Sequence, residues 1–84
     1  MAKIFIEVTT PGNGKTYEFR LDNFMTVGQA KQRIIDEILE LEGDGLRLSY
    51  KDTKLFNVAT RLPLSEISHL ASSSVRSGHQ LLLL

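Results

Sequence analysis

Between Lys3 and Leu41 the spacing of apolar residues changes once, from two to three-and-four. That change limits the architecture more than any other feature of the chain. In "KIFIEV" Ile4, Ile6 and Val8 alternate with Lys3, Phe5 and Glu7, the pattern of a half-buried strand. "TTPGNG" is dense in turn residues. "KTYEFRL" then alternates again, with Tyr17, Phe19 and Leu21 inward and Thr16, Glu18 and Arg20 outward. Two such strands around a glycine-rich turn predict a β-hairpin. From there the period lengthens. Val27, Ala30, Ile34, Ile38 and Leu41 fall on one helix face, and Ile35 and Leu39 widen it. Thr26 and Gln29 have capping-box spacing at the helix start. Gly28 weakens the first turn, and Gly43 and Gly45 supply the stop.

The second half is less regular. "LRLSY" predicts a short strand with Leu46, Leu48 and Tyr50 on one face, "KDT" a turn, and "KLFNV" a short further strand. In "TRLPLSEISHLASSS", Pro63 suits a helix start, and Leu64, Ile67, Leu70 and Ala71 have helical spacing over one or two turns. The serines at 72–74 read as loop, and "HQLLLL" closes as a strand. The order ββαβ(β)(α)β predicts a single α+β domain over residues 1–84, one layer with a mixed sheet of four to five strands packed on one main helix. The most apolar strands lie at opposite ends of the chain. They should pair at the sheet centre, where neighbours protect both.

Composition narrows the function classes. Lys+Arg and Asp+Glu are each 10, so the formal net charge is zero. The electrostatic footprint of a nucleic-acid partner is therefore missing, and an anionic membrane is disfavoured as the main partner. With no Cys, disulfides, thiol catalysis and thiolate metal sites are excluded, and a reducing compartment suits the chain. "MAKIFIEVTT" lacks the long apolar core of a signal peptide. The four closing leucines fall far short of the roughly 20 residues a spanning helix needs, so no direct membrane insertion is expected.

Tempting chemistry fails on spacing. "GNGKT" resembles the end of a phosphate-binding loop, but the position that needs the first glycine is Thr9, and Lys15 and Thr16 open a strand rather than a helix. His69 and His79 are ten residues apart, with no carboxylates at ligand spacing. The serines at 65, 68, 72, 73, 74 and 77 form no nucleophile elbow. "EGDG" is too short for a calcium loop, and Glu40 and Glu42, two apart on a helix, do not face each other. No catalytic residue, metal site or cofactor is expected, and the chain reads as a non-enzyme.

One family pattern fits these segments. "GKTYEFRLDNFMTVGQAKQRIIDEI" resembles the hairpin-to-helix region of ubiquitin in its Gly14-Lys15-Thr16 strand start, the Thr26 cap and the spacing of Val27, Ala30 and Ile34. "LRLSYKDTKL" resembles the ubiquitin third strand and following turn. Leu64, Ser65 and Glu66 resemble the leucine-serine-acid turn. "VRSGHQLLLL" resembles the closing strand, with Gly78 at its turn and Leu81 and Leu83 inward. The likeness covers nearly the whole chain, His69 to Ser74 being the main addition. It implies the ubiquitin-like β-grasp fold. Among such families the bacterial YukD/EsaB group is most similar, in "IEVTTPGNGKTYEFRL", in the Thr-Val-Gly-Gln helix entry and in the leucine-rich close. That resemblance implies a cytoplasmic accessory component of a type VII (WXG100-protein) secretion system, acting on a protein partner such as a membrane component of the machinery.

Ubiquitin-like modifiers and sulfur carriers act through a flexible Gly-Gly tail, thin enough to thread into a partner enzyme. This sequence stops at Leu84, inside its last strand, so binding without conjugation is expected, and a modifier or sulfur carrier is the alternative. So is a ubiquitin-like interaction domain of another pathway. The resemblance puts Ser49, flanked by Arg47 and Lys51, at the third-strand position of the ubiquitin recognition face. Strict alternation puts Leu82 and Leu84 outward on the last strand. Phe5 is outward on the strand expected beside it. Phe5, Arg47, Ser49, Lys51, Leu82 and Leu84 are thus the candidate partner-binding residues, for another protein or for a homodimer. The competing expectation is that the added 69–74 segment folds over the apolar patch.

Overall fold

The computed structural model describes residues 3–43 and 48–84. The hairpin forms as its alternation dictates. Strands β1 (Lys3–Thr10) and β2 (Lys15–Asp22) pair antiparallel from Lys3 opposite Asp22 to Thr10 opposite Lys15. The Asn13 side chain organises the turn: its Oδ1 accepts from the Lys15 amide at 3.0 Å and from the Thr10 hydroxyl. Ile6, Val8, Phe19 and Leu21 are buried, while Phe5 stands exposed on the other face.

Helix α1 runs Val27–Glu42. At its start the Thr26 hydroxyl accepts from the Gln29 amide at 3.1 Å, and the Gln29 side chain accepts from the Thr26 amide at 3.0 Å. This reciprocal cap satisfies donors that a helix start leaves open. The next two amides are taken by a loop: Val27 donates to Ser68 O at 2.7 Å and Gly28 to Glu66 O at 2.9 Å. A Cβ on Gly28 would lie 3.2 Å from that same Glu66 oxygen. The helix-weakening glycine therefore lets the loop approach without the few tenths of an ångström of retreat that a side chain would require. At the far end Gly43, at φ +62°, closes the last turn.

Val27, Ala30, Ile34, Ile35 and Ile38 pack wholly inside. Leu41 departs from the expected stripe and is 72 % exposed. The last turn runs past the sheet edge, where Glu42 is held by Lys15 and Tyr17 of β2. Leu41 lies beside the free edge of β2, where no further strand covers it among the described residues.

The expected third strand at "LRLSY" is corrected. Leu48 to Tyr50 are loop and turn, and 46 and 47 lie outside the described residues. The third strand is β3 (Leu55–Asn57), inside "KLFNV". A turn at Arg61 (φ 60°) leads to β4 (Leu62–Pro63), where a helix start was expected. Pro63 pairs opposite Phe56 on an edge strand, the position in a sheet that tolerates a missing N–H. The predicted helix over 63–71 reduces to a single 3-10 turn, Leu70–Ser72. Only Leu70 of its apolar set is fully buried, and Ile67 is 87 % exposed.

β5 (Gln80–Leu83) completes a five-stranded sheet in the order β2-β1-β5-β3-β4. As the distribution of apolar residues implied, the two end strands meet in the middle. Val8 lies opposite Leu81 in parallel pairing, and Leu55 lies opposite Leu83 in antiparallel pairing. Leu81 and Leu83 join the helix residues in one core. This is the ubiquitin-like α+β arrangement, one main helix across a mixed sheet.

Candidate functional site

The face of the sheet turned away from α1 carries an apolar surface built from β3 and β5. Phe56 is the direct cross-strand partner of Leu82, so the two share a face. Both are half-buried, and Leu84, two residues along the same face, is 51 % exposed. With Val58 and Arg61 these residues line a shallow depression of about 250 Å³. Lys54 exchanges both backbone hydrogen bonds with Leu84, at 2.8 and 2.9 Å. The rim is therefore basic, with Lys54 and Arg61 beside apolar Phe56, Leu82 and Leu84.

This surface keeps two of the six residues that the sequence suggested. Leu82 and Leu84 are on it, whereas Phe5 is not. The parallel register sets Thr9, not Phe5, beside Leu82. Four residues of strand, about 13 Å at roughly 3.3 Å each, separate Phe5 from that point. Phe5 instead accepts at its carbonyl from Gly78 (2.7 Å), and its ring faces the Arg20 guanidinium 4.7 Å from its centroid. Ser49 and Lys51 are exposed in the loop before β3 rather than on it, and Arg47 lies outside the described residues. Lys51 lines a separate cleft with Gly28, Lys31, Gln32, Tyr50 and Glu66. The third-strand position on the open face belongs to Phe56. Its signal was an aromatic residue between Leu55 and Asn57 in a strand whose pairing could not be read locally.

Nor does the 69–74 segment cover the surface. It lies across the entrance to α1: Leu70 donates to Met25 O at 2.8 Å, Ala71 to Asn23 O at 2.9 Å, and His69 bridges to Thr26. The Leu70 side chain fills the core there.

Two polar clusters brace the fold. Lys31 is 4 % exposed, and its ammonium is ion-paired with Glu66 Oε1 at 2.9 Å. It also donates to the carbonyl of Thr53 at 3.0 Å and to that of Tyr50. Three acceptors use its three N–H bonds, which makes this lysine a clasp between α1 and two loops. The second cluster joins Glu42 to the Tyr17 hydroxyl (2.7 Å) and Lys15 (3.1 Å). Donation from Tyr17, then from Lys15, holds the Glu42 carboxyl below its ordinary value, and Glu42 in turn raises Lys15. A carboxyl lowered on folding stabilises the fold above the ordinary carboxylate range. That contribution is lost as pH falls through the lowered value. Tyr17→Phe should move the Glu42 titration midpoint upward, towards the ordinary range, in a carboxyl-detected NMR pH titration.

No protein-family model matches the chain, and no curated protein matches it in sequence. Solved structures do match its fold. Ubiquitin from Caldiarchaeum subterraneum superimposes with a TM-score of 0.76 at 19 % identity, over 98 % of this chain and 91 % of that one. A ubiquitin-like domain of an Arabidopsis thaliana protein gives 0.74 at 19 % identity, over 100 % and 78 %. The UBL domain of Plasmodium falciparum Dsk2 gives 0.72 at 15 % identity, over 98 % and 96 %. The fold is that of a ubiquitin-like domain. Among the described residues, no helix is long and apolar enough to cross a membrane.

Proposed function

We propose that the protein is a non-enzymatic adaptor that binds a protein partner through the Phe56–Leu82–Leu84 surface. One observation carries this reading: three large apolar side chains share the open face of the sheet, in a depression that the chain's own added segment leaves uncovered. An apolar centre with a polar rim is the anatomy of a protein-binding patch. The basic rim of Lys54 and Arg61 suits a partner that offers apolar anchors beside carboxylates.

The finer reading is a cytoplasmic accessory component of a bacterial type VII secretion system. Its support is the sequence resemblance of the hairpin, the Thr-Val-Gly-Gln helix entry and the leucine-rich close to the YukD/EsaB group. The partner on that reading is a cytoplasmic part of the membrane machinery. Genes for WXG100 proteins and an FtsK-like ATPase beside this one would support it. Adenylating enzymes beside it, or covalent adducts on pull-down, would favour the modifier or sulfur-carrier alternative instead.

The binding claim has a direct test. Leu84→Asp changes an exposed side chain, so the fold should survive with a stability change within about 0.5 kcal/mol. Capture of the partner from the native source should fall at least tenfold, as expected when a charge is left unpaired in an apolar interface. A folded Leu84→Asp protein that captures every partner undiminished would sink the proposal.

A further inference from the structure

At the opposite margin of the sheet, β2 is paired on one side only. Along its other side the backbone N–H and C=O groups have no strand beside them among the described residues. The second half of α1 runs next to this free edge. Between them lies an open groove of about 500 Å³ lined by Phe19, Glu37, Glu40 and Leu41. Phe19 gives it an apolar floor and Leu41, at 72 % exposure, an apolar wall. The remaining lining groups are both carboxylates. Proline blunts the other edge of the sheet at Pro63, but β2 contains none.

These features specify different parts of one occupant. An unpaired strand edge accepts an extended backbone and not a helix. Phe19 and Leu41 ask for an apolar side chain. Glu37 and Glu40, one helical turn apart, ask for cations. Glu37 is paired only loosely, with Arg33 at 3.7 Å and both side chains about half-exposed, so a bound cation can take over that role. Among the described residues Glu40 has no ion pair.

We propose that this groove takes an extended peptide segment as a sixth strand next to β2. An apolar side chain sits on Phe19 and Leu41, with a lysine or arginine two positions away reaching Glu37 or Glu40. The two-residue interval follows from geometry. Side chains on one face of a strand repeat every about 6.6–6.8 Å, close to the about 5–6 Å between helix positions four apart, as Leu41 and Glu37 are. Main-chain hydrogen bonds to β2 supply affinity, and the carboxylates select basic over acidic segments. This surface is separated from Phe56 and Leu82 by β1, so it and the adaptor surface stand or fall independently.

The probe is a capped nine-residue threonine peptide with a central leucine and a lysine two positions to either side. Titrated into the full chain at low salt, it should shift NMR amide signals of Tyr17 to Leu21 and of Glu37 to Leu41. Replacing its lysines by glutamates should weaken binding at least tenfold. So should the double variant Glu37→Gln with Glu40→Gln, both at exposed or half-exposed positions. A methyl group on the backbone nitrogens of the peptide's β2-facing edge should abolish binding, because it removes strand pairing while keeping every side chain. Equal binding of lysine and glutamate peptides, undiminished binding of the N-methylated peptide, shifts confined to Phe56, Leu82 and Leu84, or no shifts at millimolar peptide would each overturn the proposal.

Discussion

Leu81→Ala is expected to cost about 3–4 kcal/mol of stability, and Leu82→Ala, one residue on, only about 1 kcal/mol. Both remove the same atoms from adjacent positions of the same short strand, so the difference isolates the face. Leu81 is fully buried, opposite Val8 on one side and Asn57 on the other, within the core that α1 covers. Truncation there leaves a cavity whose walls are two paired strands and a helix, elements that cannot collapse into it without breaking ladder hydrogen bonds. Leu82 already meets solvent on the open face, and water fills the space its truncation leaves. Urea denaturation of the two variants measures the contrast through the midpoint at constant slope. Equal losses would show that the alternation assigned to β5 is wrong.

Lys31→Met should cost about 2–3 kcal/mol, although methionine matches the lysine stem in length and fits the helix. The substitution strands the Thr53 and Tyr50 carbonyls that the ammonium served and frees the Glu66 carboxylate. Glu66 is half exposed and rehydrates readily, which keeps the loss below that of a fully buried pair. For the same reason Glu66→Gln should cost under about 1 kcal/mol. For a domain of this size the Lys31→Met loss corresponds to about 10–20 °C in Tm. Thermal unfolding of the two variants ranks the contributions. A larger effect for Glu66→Gln would mean that the ion pair, rather than the two carbonyls, sustains the clasp.

Lys31 also shows where sequence reading stopped short. It stands four residues after Val27 and four before Ile35, on the apolar stripe itself, so the pattern held the signal of its burial. A lysine on such a stripe ordinarily carries its charge out to water, which masks that signal. The elements that were legible had strong local grammar: the alternating hairpin around "TTPGNG", the Thr26–Gln29 cap, the Gly43 stop and the inward Leu81 and Leu83. The elements that were misread depended on pairing across the chain. "LRLSY" and "KLFNV" both alternate, and only the ladder to β5 decides that Leu55–Asn57 is the strand. Alternation likewise assigns Phe5 to the open face but says nothing of its height along the strand. The parallel register fixes that, and it splits Phe5 from Leu82. Leu82 and Leu84 of the candidate surface were therefore readable, and its aromatic centre, Phe56, was not.

The central pairing of β1 with β5 bears on how the protein is made. Glu7 and Gln80, whose side chains meet across that pair, are 73 residues apart in the chain. While the ribosome is still extending the polypeptide, the hairpin and α1 can form from what has emerged, but the inner edge of β1 has no neighbour. The core stays open on that side until the last strand is released and slots between β1 and β3. Closure of the core thus waits on one long-range pairing, and until β5 has emerged the inner edge of β1 is an unpaired strand edge open to wrong partners.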